Sequence, residues 1–448
     1  MTENRFNENT ARLYHGEAGI GNYRWIICAL VFFATTINYL DRAVISLLKP
    51  YLDQDFKWTE TDYSDIVVAF QFSYAVGLLI SGWFVDRAGT KLGYACSLIL
   101  WSVAAIGHAL VKSTFGFIAA RSALGISEAG NFPSAIKTIA EWFPKKERAL
   151  ATGIFNSGAA VGAIAAPLSV PFIAEKMGWR WAFVITGAIG FVWLIFWAII
   201  YQVPGKLKKL SKAEHDYINS DADQLNSTTK AETDKSFSWA SLIRYKQTWA
   251  FILGKFLTDP VWWFYLFWLP AFLKAQYKLE GTGLAFPVAL VYILSTVGSV
   301  FGGWLPLKFI KQGWPLFRSR KTSMFIYAIC ALPVVFAQYL GTFNIWMSVI
   351  IIGFAAAAHQ AWSANIFTTV SDMFPKETVA SVTGMGGMAG AIGGMLMAKL
   401  AGLLFDYYKH LDKIETGYYI MFLICGCAYL SAWLIMHFLV PTMKRINL

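Results

Sequence analysis

Charge is scarce in this chain. Of its 448 residues, 15% are charged, 56% are apolar and 17% are aromatic. An ordinary soluble domain carries roughly 25% charged residues, so this composition argues against a soluble enzyme. It also excludes intrinsic disorder, which needs low hydrophobicity and high charge. Cysteine is scarce as well. The five cysteines, Cys28, Cys96, Cys330, Cys425 and Cys427, all lie inside apolar runs. An odd number so placed is no disulfide framework and has no zinc-ligand spacing. They read as small core hydrophobes, and no metal or cofactor is expected. Residues 1–23 are polar, so no cleavable signal peptide is expected.

What the chain has is long apolar runs, with a mean hydropathy of +0.48. A helix needs ~20 such residues to cross a bilayer. About twelve runs qualify, near 24–48, 62–85, 92–111, 115–140, 149–173, 179–202, 248–273, 283–307, 322–341, 345–370, 379–405 and 417–440. The fold class expected is an all-α membrane protein of twelve transmembrane helices in two six-helix halves. The expected units are a polar N-terminus over 1–23, a half over 24–202, a linker over 203–247, a half over 248–440 and a tail over 441–448.

The formal net charge of +11 raises the question of a nucleic-acid partner until the charges are placed. Alternate loops carry about two dozen Lys and Arg on one side and about nine on the other. The rich side holds Arg87, Lys91, Lys145, Lys146, Arg148, the middle linker and both termini. By the positive-inside rule that side is expected to face the cytoplasm. The charge is then a topology signal, and no nucleic acid is expected. A repeat supports two halves: Phe143–Gly153 and Phe374–Gly384 match at six of eleven positions, 231 residues apart. Parallel six-helix repeats are the arrangement of one large transporter class.

Ionisable groups within spans cost several kcal/mol each and are the first places to look for function. The first span holds Asn38-Tyr39-Leu40-Asp41-Arg42. Asp41 and Arg42 point about 100° apart on a helix. Two readings fit: a self-neutralising pair that pins helices, or an Arg42 that grips an anion while Asp41 holds a proton. Arginine suits a carboxylate because its planar fork donates two parallel hydrogen bonds and keeps its charge. In the fourth span Arg121, Gly125, Glu128 and Phe132 share one helix face. Glu128 fits either a protonation role or a permanent ion pair. Gly82, Asp86, Arg87, Gly89 and Lys91 lie between the second and third spans. They read as a gate that pairs with charges or helix ends across the halves.

Other polar candidates are Gln71 and Tyr74 on the second span, Asn156 and Ser157 on the fifth, and Thr383 at the start of the eleventh. The tenth span carries His359, Gln360, Trp362, Ser363 and Asn365. Hydroxyl, amide and indole groups near the midplane suit a polyhydroxylated ligand, although each alone also fits a satisfied helix–helix contact. The repeat offset sets His359 opposite Glu128. Lys255 and Asp259, one turn apart on the seventh span, read as a local ion pair.

The segment Gly82–Lys91 resembles the signature loop of the major facilitator superfamily. Asn38–Arg42, Arg121–Gly130, Glu141–Arg148 and Gly153–Gly158 together resemble the anion:cation symporter family within it. His359–Ser363 and Ser371-Asp372 look most like its hexuronate branch. The resemblance implies that Arg42 binds the substrate carboxylate, helped by Tyr39 and Tyr74. It implies that Asp41 and Glu128 couple protons, with Arg121 tuning Glu128. Some hexuronate carriers lack an acid at the position of Asp41, and there the chain resembles the galactonate carriers.

The expectation is a transporter, not an enzyme, in the inner membrane with both termini cytoplasmic. It imports a sugar acid anion, a hexuronate first and an aldonate such as galactonate second, with protons, by alternating access, as a monomer. Its partners are the anion, protons and the lipid bilayer. An uncoupled anion facilitator or exchanger is the nearest rival. A membrane sensor lacks an output domain, since the 203–247 loop is too short for one. A membrane enzyme lacks a nucleophile–base constellation.

Overall fold

The computed structural model describes residues 21–446, apart from 59, 208, 221–238 and 280–281. Among them the secondary structure is helical. The first half comprises α1 (Tyr23–Phe56), α2 (Glu60–Ala88), α3 (Thr90–Gly107), α4 (Thr114–Glu128), α5 (Asn131–Trp142), α6 (Lys145–Met177) and α7 (Trp179–Ile200). The linker carries α8 (Lys212–Ile218) and α9 (Trp239–Leu242). The second half comprises α10 (Lys246–Tyr277), α11 (Thr282–Lys311), α12 (Leu316–Ala331), α13 (Ala337–Phe343), α14 (Ile345–Met373), α15 (Val379–His410) and α16 (Ile414–Leu439). Ten of the described spans are long and apolar enough to cross a membrane. The other two crossings are α10, which carries Lys255 and Asp259 along its length, and the α4–α5 pair.

The sequence reading took 115–140 as one continuous span, and the structure corrects it. The helix breaks at Ala129-Gly130. Pro133 is the cause: it has no N–H, and its ring clashes with the carbonyl four residues back, that of Ala129. A freed carbonyl inside a membrane must find another donor. Ser81 Oγ donates to Ala129 O at 3.1 Å, and Asn38 Nδ2 reaches Glu128 O at 3.5 Å. The break is thus sealed by α1 and α2, and the side chain of Glu128 is held at the last turn of α4. Ser81→Ala removes a buried donor of this kind. It is expected to cost about 1–3 kcal/mol, read as a lower melting midpoint of the purified protein with the helix content unchanged.

Helices in lipid associate by close packing of small residues. At Gly125 an added Cβ would lie 2.5 Å from Phe70 O, so α4 and α2 pack backbone to backbone. The ninth span is longer than expected. It begins at Leu316 and passes through a 3-10 stretch, Leu332–Phe336, around Pro333. The polar N-terminus lies outside the described residues up to position 20. In the linker, Ser211 caps α8 by accepting from Glu214 N at 3.1 Å, and Glu214 is buried against Arg24. After α16 the tail returns to the fold, with Ile446 N bonded to Met373 O at 2.8 Å.

Candidate functional site

The two halves line a shared cavity of about 80 Å³. Tyr39, Arg42, Tyr74 and Asn156 line it from the first half, and His359, Gln360 and Ser363 from the second. Phe132, just past the helix break, stacks on Phe367 across the halves with centroids 5.4 Å apart; both rings line the cavity.

Arg42 is the cavity's central cation. Its Nη2 lies 3.0 Å and its Nε 3.1 Å from Glu128 Oε2, and its Nη2 donates to Asn38 Oδ1 at 3.3 Å. The guanidinium sits 4.7 Å from the Tyr39 ring, 4.6 Å from Tyr74 and 5.2 Å from Phe70. Aromatic faces attract a planar cation, so three rings fix its plane. Glu128 is fully buried, whereas the Arg42 side chain keeps 11% exposure. The cation, not the acid, is presented to the cavity.

Asp41, one residue earlier, points away from the cavity. It is 2% exposed and lies beside Thr186 of α7. Neither of its oxygens accepts a well-formed hydrogen bond, and the cation close enough to act on it electrostatically is Arg121. Asp41 and Arg42 therefore do not form the self-neutralising pair that their adjacency allowed. Arg121 is buried beneath Phe70, with its guanidinium 4.6 Å from that ring, and donates to Arg42 O at 3.4 Å. It stands behind the cavity wall, supporting α1, rather than in it.

The second-half candidates divide. His359 Nδ1 is 2.6 Å from Tyr429 OH, and its ring stacks on Trp262 at 5.3 Å. Gln360 Oε1 accepts from Asn156 Nδ2 at 2.7 Å, a bond between the halves. Trp362 and Asn365 are turned away from the cavity. Asn365 Nδ2 donates to Gly302 O at 2.6 Å and ties α14 to α11. Trp362 is fully buried against Tyr429. Ser157 donates to its own helix at Ile154 O. Sequence reasoning missed Trp262, Trp263 and Phe367 as lining residues, and it assigned the Lys255–Asp259 pair no place in the cavity, although both line it.

The halves are clamped at the basic end of the molecule. Asp86, at the end of α2, pairs with Lys137 Nζ at 2.9 Å. It also accepts from Ser381 N at 2.6 Å and Ala380 N at 3.3 Å. Those amides open α15, so a carboxylate from one half caps a helix of the other, where unpaired N–H groups and the helix dipole favour an anion. Gly82 admits this approach, since a Cβ there would lie 2.5 Å from Ala380 O. Gly89 takes the left-handed turn, φ +83°. Arg87 stacks on Trp83 and Lys91 bonds Gln202, so both stay within the first half.

A second clamp went unread in the sequence. Asp372 binds Arg320 at 3.1 Å and Arg148 at 3.7 Å. Arg148 also donates to Ser371 O across the halves, and Arg320 to Lys145 O at 2.7 Å. The nearby Lys376, between α14 and α15, has its ammonium pKa lowered by burial and by the Arg148 charge. This end is already crowded with cations.

Comparison with known proteins agrees with this architecture. A sequence profile of the Major Facilitator Superfamily matches residues 31–398. The hexuronate transporter of Escherichia coli K12 is 32% identical over 389 residues, covering 86% of this chain and 89% of that protein. The galacturonate transporter of Dickeya chrysanthemi is 34% identical over 292 residues, covering 65% of this chain and 84% of that one. Among solved structures, the proton:xylose symporter XylE bound to 6-bromo-6-deoxy-D-glucose superposes with a TM-score of 0.73 at 16% identity. The match covers 94% of this chain and 97% of that one. With twelve crossings in two halves around one central cavity, this chain belongs to the Major Facilitator Superfamily, a family of membrane transporters and not of enzymes.

Proposed function

We propose that this protein imports a sugar acid anion together with protons, by alternating access, and that a hexuronate is its first substrate. The observation that carries this reading is the caged Arg42. Its fork already holds one carboxylate, that of Glu128, at 3.0 Å. A substrate carboxylate offers the same geometry. When Glu128 takes up a proton, its attraction for Arg42 falls and the fork is freed for the ligand. The tyrosines that cage Arg42, with Asn156, Gln360 and Ser363, then supply hydroxyl and amide partners for a polyhydroxylated body. The names of the similar transporters support a sugar acid over other anions.

Asp41 supports the proton step. A carboxylate buried this deeply is costly while charged, which supports Asp41 as a group that takes up and releases a proton during the cycle. We take the basic face and the termini as cytoplasmic in the inner membrane, by the positive-inside rule. The clamped basic face then makes this an inward-closed state. An anion entering a negative-inside cell works against about 2.3 kcal/mol per 100 mV. One proton cancels that cost, and two make import electrically favourable.

The test is uptake of labelled glucuronate or galacturonate into proteoliposomes with an inward proton gradient. The native protein is expected to accumulate the acid. Asp41→Asn is expected to keep exchange of internal for external substrate while losing gradient-driven accumulation. Full accumulation by Asp41→Asn removes that residue from the coupling and leaves a different proton carrier, whereas a native protein that exchanges but does not accumulate is an uncoupled exchanger. Failure of the native protein to take up any sugar acid overturns the substrate reading.

A further inference from the structure

The second half contributes its own ion pair to the cavity. Lys255 Nζ lies 2.7 Å from Asp259 Oδ2, one turn apart on α10. Both residues line the cavity wall, but they are not equally presented. The Asp259 side chain keeps 19% exposure and the Lys255 side chain 5%. The ammonium is held behind, 4.0 Å from the centre of the Phe367 ring. Asp259 is also close enough to Tyr39 and Tyr74, the rings that cage Arg42, to act on them electrostatically. From α15, Gly390 packs directly on the Asp259 carboxylate, which leaves that side chain little room to turn away.

The cavity is therefore polarised. A cation with a free edge stands on the first half, and an anion with a free edge stands on the second. Resting on the reading of this cavity as a sugar-acid site, we infer that Asp259 is a specificity-determining residue that reads the uncharged, hydroxyl-bearing end of the ligand and excludes a second acid group. A carboxylate accepts hydrogen bonds and donates none while ionised. It suits the hydroxyls of a uronate or an aldonate. It repels the far carboxylate of an aldarate, the same six-carbon chain with acid groups at both ends. Lys255, 2.7 Å away, favours the charged carboxylate and holds it in place. Without Asp259, Lys255 would be an unmatched cation at that end of the site and would welcome a second carboxylate.

The experiment is a binding series on the purified full-length protein in nanodiscs, by calorimetry, with galacturonate, galactonate and galactarate as probes. The native protein is expected to bind one of the two monoacids at least tenfold more tightly than galactarate. Asp259→Asn is expected to weaken that monoacid and strengthen galactarate, so that the preference narrows at least tenfold or reverses. The double variant Lys255→Met with Asp259→Asn removes both charges. It is expected to weaken the monoacid without gaining galactarate, and it carries the test if the single variant does not fold. Equal binding of monoacid and galactarate by the native protein overturns the inference. So does a native preference left intact by both variants. Binding of no sugar acid by the native protein instead overturns the reading of the site itself, which keeps the two failures apart.

Discussion

Replacing Arg42 by alanine is expected to weaken sugar-acid binding by at least about 100-fold, or ~2.7 kcal/mol, in titrations of the purified protein. The substitution removes the cavity's free-edged cation and with it two charge-assisted hydrogen bonds, each stronger than a neutral one. Truncating one partner of a buried, hydrogen-bonded charge pair typically costs 2–5 kcal/mol of binding. The usual objection is that such a variant loses its fold, because it leaves Glu128 buried without a cation. Glu128 can answer by taking a proton, and Arg42→Ala with Glu128→Gln removes the difficulty altogether. Both variants should melt cooperatively and bind no acid. Arg42→Lys is the finer probe. Lysine keeps the charge but not the planar fork that the Tyr39, Tyr74 and Phe70 rings hold in place, so about a tenfold loss is expected. Native affinity in Arg42→Ala would remove the anion site from this cavity.

The low charge content explains how much of this site was readable in advance. Charges inside apolar runs are costly enough to stand out, and Asp41, Arg42, Arg121 and Glu128 did. Helical spacing put Glu128 on a polar face, but it said nothing of which helix that face would meet. Only the fold sets Arg42 of α1 against Glu128 of α4 and turns Asp41 towards α7. The same limit hid the role of Asp259. Its i,i+4 pairing with Lys255 was legible, yet periodicity within one helix does not reveal whether that face looks onto a cavity or onto a neighbour. Trp362 and Asn365 failed in the opposite direction, as polar groups turned to Tyr429 and Gly302.

The contact at Asp86 was legible in part, for a comparable reason. Asp86 was expected to meet a helix end of the other half, and it meets the first amides of α15. Gly89 announced a tight turn by its residue type. The Asp372 clamp was not foreseen. Its partners Arg148 and Arg320 lie 224 and 52 residues away in sequence, and nothing local ties the three together. The break in α4–α5 was visible as Pro133. Hydropathy averages over such a residue, and the run was read as one helix.

Gly303→Leu is expected to prevent closure of the basic face. Gly303 of α11 packs against α6 of the other half. A Cβ there would fall inside van der Waals contact of Leu150 Cα and Ala149 O, both backbone atoms that cannot swing aside. Overpacking a tight contact costs about 1–3 kcal/mol, and leucine adds three carbons beyond Cβ. A shift of that size moves a two-state equilibrium by roughly 5- to 150-fold. The clamped state, with Asp86 on α15 and Asp372 on Arg148 and Arg320, should give way to one open at the basic face. Spin labels at Arg87 and Glu377, both exposed, should report a longer distance across that face. Transport should fall by more than tenfold, since a carrier that cannot close one side cannot cycle. Binding should persist, because Gly303 is not part of the cavity lining. Gly303→Ala should show the same shift in smaller measure. A label distance and transport rate both unchanged in Gly303→Leu would mean that the α6–α11 contact is not what holds the basic face shut.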